Sequence, residues 1–132
     1  MFHTVRADDN CQTVTMRMGT HDVVILVLDH AQTDVQTAMQ VNADAVRVLA
    51  QQAKVRGCML LHYSTDYVFD GDKPAPYTET DIPKPKSCYG KSKLEGERLI
   101  IESGAAHLIF RTSWVFGAHG GNFAKTILRL AR

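Results

Sequence analysis

The sequence predicts an α/β protein built on a doubly wound, parallel sheet, and three observations carry that prediction. Residues 22–28 (DVVILVL) form a continuous aliphatic run, the composition of strands buried on both faces in sheets covered by helices. Residues 33–54 then change to a helical period. Two more short apolar runs, 58–63 (CMLLHY) and 106–112 (AHLIFRT), are each followed by a further helical pattern after a loop. Strand, helix, strand, long loop, helix, strand, helix is the rhythm of a doubly wound sheet.

Taken in order, residues 1–20 give one weak signal, the alternation Thr13-Val14-Thr15-Met16-Arg17-Met18, whose period of two suits a half-buried strand. In the first helix Val35, Met39, Val46, Leu49 and Ala53 fall near one stripe, with Thr33 or Asp34 as cap and Gly57 as stop. The stretch 70–88 holds all four prolines and reads as a long loop, a feature that in a compact domain is usually functional or mobile. Residues 87–103 read as a helix ending at Gly104, and 122–132 begin a last helix. The pattern breaks off inside that helix, which reads as part of a larger protein.

Composition narrows the function. With 132 residues, 45% hydrophobic, the chain can bury one core. Fifteen basic against 14 acidic side chains give a net charge of +1, so no broad basic field points to nucleic acid or an anionic membrane. The longest apolar run is six residues, Val23 to Leu28, against the ~20 needed to span a bilayer. Cys11, Cys58 and Cys88 are scattered and odd in number, which fits a reducing, cytoplasmic setting. The six histidines lack ligand spacing, so no metal site is expected.

Tyr89-Gly90-Lys91-Ser92-Lys93 puts a phenol and an ammonium four residues apart on one helical face. A free tyrosine, with a pKa near ~10, is a poor proton donor at neutral pH, and about 4 kcal/mol favouring the phenolate is needed to bring it near ~7. A cation at about 4 Å supplies roughly that much at an effective dielectric near 20. Alone, the pair reads more readily as a packed tyrosine with a solvated lysine one turn later. Ser64-Thr65-Asp66 follows an apolar strand, where the carboxyl ends of a parallel sheet form the ligand crevice. A hydroxyl there can hold a carbonyl oxygen, or the triplet is a Ser/Thr turn with Asp66 as cap.

Four motifs then stand in one register: STDYVFDG (64–71), PYTETD (76–81), YGKSKLEGE (89–97), and FRTSWVFG (110–117) followed by GNFAK (121–125). Together they resemble the dTDP-4-dehydrorhamnose reductases of the extended short-chain dehydrogenase/reductase superfamily. The resemblance implies a Rossmann-like fold and NADPH- or NADH-dependent reduction of the 4-keto group of dTDP-4-dehydro-L-rhamnose in dTDP-L-rhamnose biosynthesis. It implies that Tyr89 is the general acid, that Lys93 lowers the phenol's pKa and bonds the nicotinamide ribose, and that Thr65 orients the carbonyl. Tyr63 matches a cofactor-contacting position, beside Tyr89 and Lys93. Thr65, Asp66 and Trp114 match positions that touch the sugar nucleotide, with Tyr67 and Asn122 lining the same pocket. Asn42 matches a helix asparagine of the wider superfamily, or is simply polar and exposed. Gly117 to Gly121 is a glycine-rich loop that could cradle a phosphate or only enter the last helix flexibly.

The pattern also departs from that family. Its opening strand, glycine-rich turn and helix, which seat the cofactor pyrophosphate, have no counterpart here, since the only glycine before Gly57 is Gly19. Residues 22–28 correspond to the fourth strand of the complete fold. After it the family's small Asn-Ala-Ala turn is replaced by Val27-Leu28-Asp29-His30. The expectation is therefore an atypical segment over 1–20 and a partial Rossmann-like reductase domain over 21–132. That domain lacks the N-terminal cofactor-binding βαβ units and the C-terminal substrate lobe, so cofactor binding is weak. Unpaired strands invite a homo-oligomer or a complementing chain, or Val14, Met16 and Met18 supply a substitute edge strand. Three other readings stay open: a non-catalytic regulatory subunit resembling that of methionine adenosyltransferase, a dehydratase or epimerase relative, and an inactive or weakly active product that keeps the motifs but binds no cofactor. Sugar-nucleotide dehydratases carry Thr-Asp-Glu where this chain has Thr65-Asp66-Tyr67, which favours plain carbonyl reduction.

Overall fold

The computed structural model describes residues 2–8, 11–18, 21–28, 34–113 and 123–131. Its first three elements are β1 (Phe2–Asp8), β2 (Cys11–Met18) and β3 (His21–Leu28), joined as an antiparallel sheet in the order β1-β2-β3. The alternating run 13–18 is a strand, as its period predicts, but it occupies the middle of the sheet rather than an edge. The register runs from Met18↔His21 to Cys11↔Leu28. This corrects the expectation for 22–28, whose ladder is antiparallel with β2; among the described residues no ladder joins β3 to the parallel pair. An aliphatic run specifies a strand without specifying its partner. Two residues separate β2 from β3, and so short a link closes cheaply and permits only antiparallel pairing.

The long helix comprises α1 (Val35–Met39), a π-helical segment (Gln40–Asp44) and α2 (Ala45–Arg56) in unbroken succession. Asp34 is the cap, its Oδ1 accepting from the Thr37 backbone N–H at 2.9 Å. Gly57 ends the helix in the left-handed region at φ 64°, where a side chain would be strained. The buried face differs from the predicted stripe. Ala38, Asn42, Val46, Ala50 and Ala53 are buried, whereas Val35 is half exposed and Met39 and Leu49 are only partly covered. Residues 38, 42, 46 and 50 are spaced by four, wider than the 3.6 of an α-helix, and the π-helical turn shifts the phase of the face accordingly.

That face is small because α3 (Cys88–Ser103) lies close against it. A Cβ built at Gly96 would stand 2.1 Å from the Asn42 carbonyl oxygen, so only glycine allows this approach. Ile100 of α3 is fully buried with Val46 and Ala50, and Leu60 and Ile109 pack on the same cluster. The last two belong to β4 (Leu60–Thr65) and β5 (His107–Thr112), a parallel pair in register from Leu60↔His107 to Thr65↔Thr112. β4 starts two residues later than the apolar run suggests. The Cys58 N–H still bonds the Ala53 carbonyl at 3.0 Å, so 58–59 belong to the helix exit. α3 keeps both predicted ends: Ser87 Oγ accepts from the Gly90 N–H at 2.9 Å, and Gly104 stops it at φ 67°.

The proline-bearing segment has no helix or strand, as expected, yet it is knitted to itself. Phe69 and Tyr77 stack at 4.2 Å, Tyr77 donates to Asp70 at 2.7 Å, and Lys73 pairs with Asp81 at 2.6 Å. The final element is α4 (Phe123–Leu130). Among the described residues no helix is long and apolar enough to cross a membrane, and no group of three His, Cys, Asp or Glu side chains could hold a metal.

Candidate active site

The site forms where β4 ends and α3 begins. Thr65 closes the strand with its side chain 95% buried and caps a 3-10 turn over Asp66–Val68. Its Oγ1 accepts from the Tyr67 N–H and donates to Asp66 Oδ1, both at 3.2 Å. The Ser/Thr turn thus exists, with Thr65 rather than Asp66 as the cap. For this hydroxyl to hold a carbonyl oxygen, its proton must swing away from Asp66. Asp66 and Tyr67 are exposed at the turn.

The first turn of α3 is pressed onto that turn. A Cβ at Gly90 would meet the Tyr67 carbonyl oxygen at 2.2 Å, which makes glycine obligatory there as well. The contact brings the half-buried Tyr89 ring edge-on to Tyr67, with centroids 6.2 Å apart, while Tyr89 also packs on Ala38. Ser92 Oγ donates to the Tyr89 carbonyl at 2.9 Å and accepts from Asn42 Nδ2 at 3.0 Å. Asn42 is therefore a buried clamp between the π-helical segment and α3, and not an exposed polar residue.

Lys93 lies beneath, only 4% exposed, and its Nζ donates to the Tyr63 carbonyl at 2.7 Å. An ammonium has three donors, so this bond aims the group without exhausting it. Desolvation lowers the Lys93 pKa to about 8, while the charge of Glu97 acts to raise it. Lys93 is buried rather than solvated, contrary to the solvated-lysine alternative. The neighbouring His62 is pushed down to about 3, first by burial and then by the Lys93 charge. Its Nε2 and Ser64 Oγ are buried without a hydrogen-bond partner among the described residues.

Tyr63 points to the other side of the sheet, 43% exposed, with its ring 5.6 Å from Phe110. Trp114, Asn122 and the loop Gly117 to Gly121 lie outside the described residues, as do Asp29 and His30. The motifs did not reveal the ion pair between the buried Glu97 and the partly exposed Arg111, in which Arg111 donates from Nη2 at 2.7 Å and Nε at 3.1 Å. The i,i+4 spacing of Lys93 and Glu97 was the available signal. Nor did the motifs show that Gly90 and Gly96 are contact glycines, although these bracket the Lys93 turn.

Fold and site together define an α/β unit with a tyrosine and a buried lysine one turn apart at the carboxyl end of a parallel strand. More particularly, residues 17–132 match the RmlD substrate binding domain model, and the chain belongs to that family. It is 52% identical over 105 residues to a dTDP-4-dehydrorhamnose reductase of Burkholderia thailandensis, covering 80% of this chain and 35% of the relative. The enzyme of the same name from Escherichia coli K12 is 43% identical over 123 residues, 89% of this chain and 41% of the relative. Among solved structures, a dTDP-4-dehydrorhamnose reductase from Bacillus anthracis in complex with NADP superposes with a TM-score of 0.72 at 41% identity. That match covers 77% of this chain and 36% of the other. The chain thus spans roughly a third to two fifths of the length of these relatives.

Proposed function

We propose that this chain carries the proton-donating half of a sugar-nucleotide ketoreductase, acting on the 4-keto group of dTDP-4-dehydro-L-rhamnose or a close analogue. The observation that carries this reading is the buried Lys93 cation, bonded to the Tyr63 carbonyl one turn along α3 from Tyr89. A nicotinamide cofactor, NADPH or NADH, would supply a hydride to the carbonyl carbon. Tyr89 gives its phenolic proton to the carbonyl oxygen, so that ketone becomes alcohol with atoms and charge in balance. Lys93 offsets the phenolate left behind, in a site where low dielectric strengthens the attraction. Thr65 steadies the carbonyl oxygen once its hydroxyl turns from Asp66.

The residues present fit the nicotinamide end of such a cofactor: Lys93 has N–H groups to offer a ribose hydroxyl, and Tyr63 presents an exposed ring. The described residues contain no glycine-rich turn for a pyrophosphate, and the chain alone is expected to hold the cofactor weakly. Asp66, Tyr67, Trp114 and Asn122 are assigned to the sugar nucleotide, in a partial Rossmann-like domain over residues 21–132.

The test is a chimera in which residues 17–132 replace the matching stretch of the full-length Burkholderia thailandensis reductase. The expected result is oxidation of NADPH, one for one with loss of the 4-keto sugar nucleotide, declining as pH rises through about 8 where Lys93 loses its proton. A folded chimera that binds NADPH yet leaves the ketone intact would refute the reading.

A further inference from the structure

A long loop keeps one arrangement only where its contacts outweigh the entropy lost in ordering it. Residues 69–86 make such contacts in two places. The first is centred on Tyr77, whose ring stacks on Phe69 at 4.2 Å. Its hydroxyl donates to Asp70 Oδ1 at 2.7 Å, and its phenolic oxygen accepts from the Lys73 backbone N–H at 3.2 Å. Lys73 Nζ reaches Asp81 Oδ2 at 2.6 Å, and that oxygen also accepts from the Thr78 N–H at 2.7 Å. Asp70, Lys73, Tyr77, Thr78 and Asp81 are thereby cross-linked into one unit with Phe69.

The second place fastens that unit to the site. The Arg111 guanidinium lies 5.0 Å over the Phe69 ring and also forks onto Glu97 of α3, with Nη2 at 2.7 Å and Nε at 3.1 Å. A planar guanidinium can pair at its edge and stack at its face together, which an ammonium cannot do. Phe69 itself ends the turn that Thr65 caps, its N–H bonding the Asp66 carbonyl at 3.0 Å. At the other end of the loop Ser87 caps α3, and a Cβ at Gly90 would stand 3.1 Å from the Pro85 Cβ. Both ends of the loop are therefore tied to the helix that carries Tyr89 and Lys93.

We propose that Arg111 is a positioning residue, clasping the loop of residues 69–86 to α3 so that the Thr65-capped turn is braced by a fixed strap and not covered by a moving lid. It acts through Phe69 and Glu97. The clasp goes beyond the ketoreductase reading and stands or falls without it.

The test is amide hydrogen exchange, followed by NMR in the full 132-residue chain. The Phe69, Lys73 and Thr78 amides are expected to be protected in the parent. Arg111→Lys keeps a charge opposite Glu97 but has no face to lay on Phe69. It is expected to speed exchange at those three amides about tenfold, with the Ile100 amide in the middle of α3 unchanged. Phe69→Tyr, which keeps the ring, should retain the parent rates. Should Arg111→Lys fail to fold, Glu97→Met/Arg111→Met removes the clasp without stranding a buried charge and should loosen the same amides. Loop amides that exchange in the parent as fast as in an unfolded chain would overturn the proposal. So would unaltered loop exchange in a folded variant lacking the guanidinium, or an equal acceleration at Ile100, which would mean general destabilisation. Each of these failures leaves the ketoreductase reading standing, whereas an inactive chimera would refute that reading and leave the clasp intact.

Discussion

The two faces of the β4–β5 pair are built on opposite terms. Leu60, His62, Ser64, Ile109 and Arg111 turn toward α2 and α3, where apolar packing meets three buried polar side chains, Lys93, Glu97 and Asn42, each bonded to its own partner. Tyr63, Leu108 and Phe110 turn the other way and remain 42–46% exposed. The difference teaches that chemistry here is assembled on the covered face. Burial there costs stability but sharpens electrostatics, and contact glycines make room for it. The open face, by contrast, presents the exposed rings of Tyr63 and Phe110 without buried polar partners among the described residues.

Substitutions can break this contrast. Ile100→Ala, on the covered side, is expected to cost about 4 kcal/mol, because a fully buried aliphatic chain leaves a cavity between two helices and the sheet. Urea unfolding would measure it. Gly96→Ala forces a methyl into the Asn42 carbonyl and is expected to cost about 3 kcal/mol by the same assay. A smaller loss would mean that the π-helical segment yields easily.

A titration sharpens the comparison. His62 binds its proton with a midpoint of about 3 in the folded chain against 6.5 ordinarily, so the unfolded chain takes up the proton first as pH falls. Stability from this group is complete above pH 6.5 and is lost progressively toward pH 3. By pH 4.5 the loss should be about 2–3 kcal/mol. His62→Leu should flatten that limb relative to the parent chain, and an unaltered pH dependence would show that His62 is hydrated. Leu108→Thr on the open face is expected to change stability by less than about 1 kcal/mol. A larger loss would show that something covers that face.

Much of this was readable in the sequence, for physical reasons that differ by element. The ends of α3 were plain because Ser87 and Gly104 act locally, through one hydrogen bond and one left-handed residue. β3, β4 and β5 were plain because aliphatic and β-branched runs favour extended chain, whereas β1 (Phe2–Asp8) carried no such run and was not foreseen. The pairing of β3 was not, since a ladder partner depends on connection length and on the rest of the sheet. The buried face of the long helix was read only in part: Val46 and Ala53 are buried as predicted, but the π-helical turn brings Asn42 into the face in place of Met39, which a fixed period of 3.6 cannot show. At the site, Tyr89, Lys93 and Thr65 stood out through spacing and the family motifs. Glu97 did not, because its importance lies in Arg111, fourteen residues away and on another element.

The most direct measurement is turnover of the chimera after Tyr89→Phe, which removes one hydroxyl and keeps the ring that packs on Ala38 and Tyr67. A general acid of this kind contributes roughly 10²–10⁴-fold, so kcat should fall at least about a hundredfold while NADPH affinity holds. Turnover equal to that of the unsubstituted chimera would contradict the account.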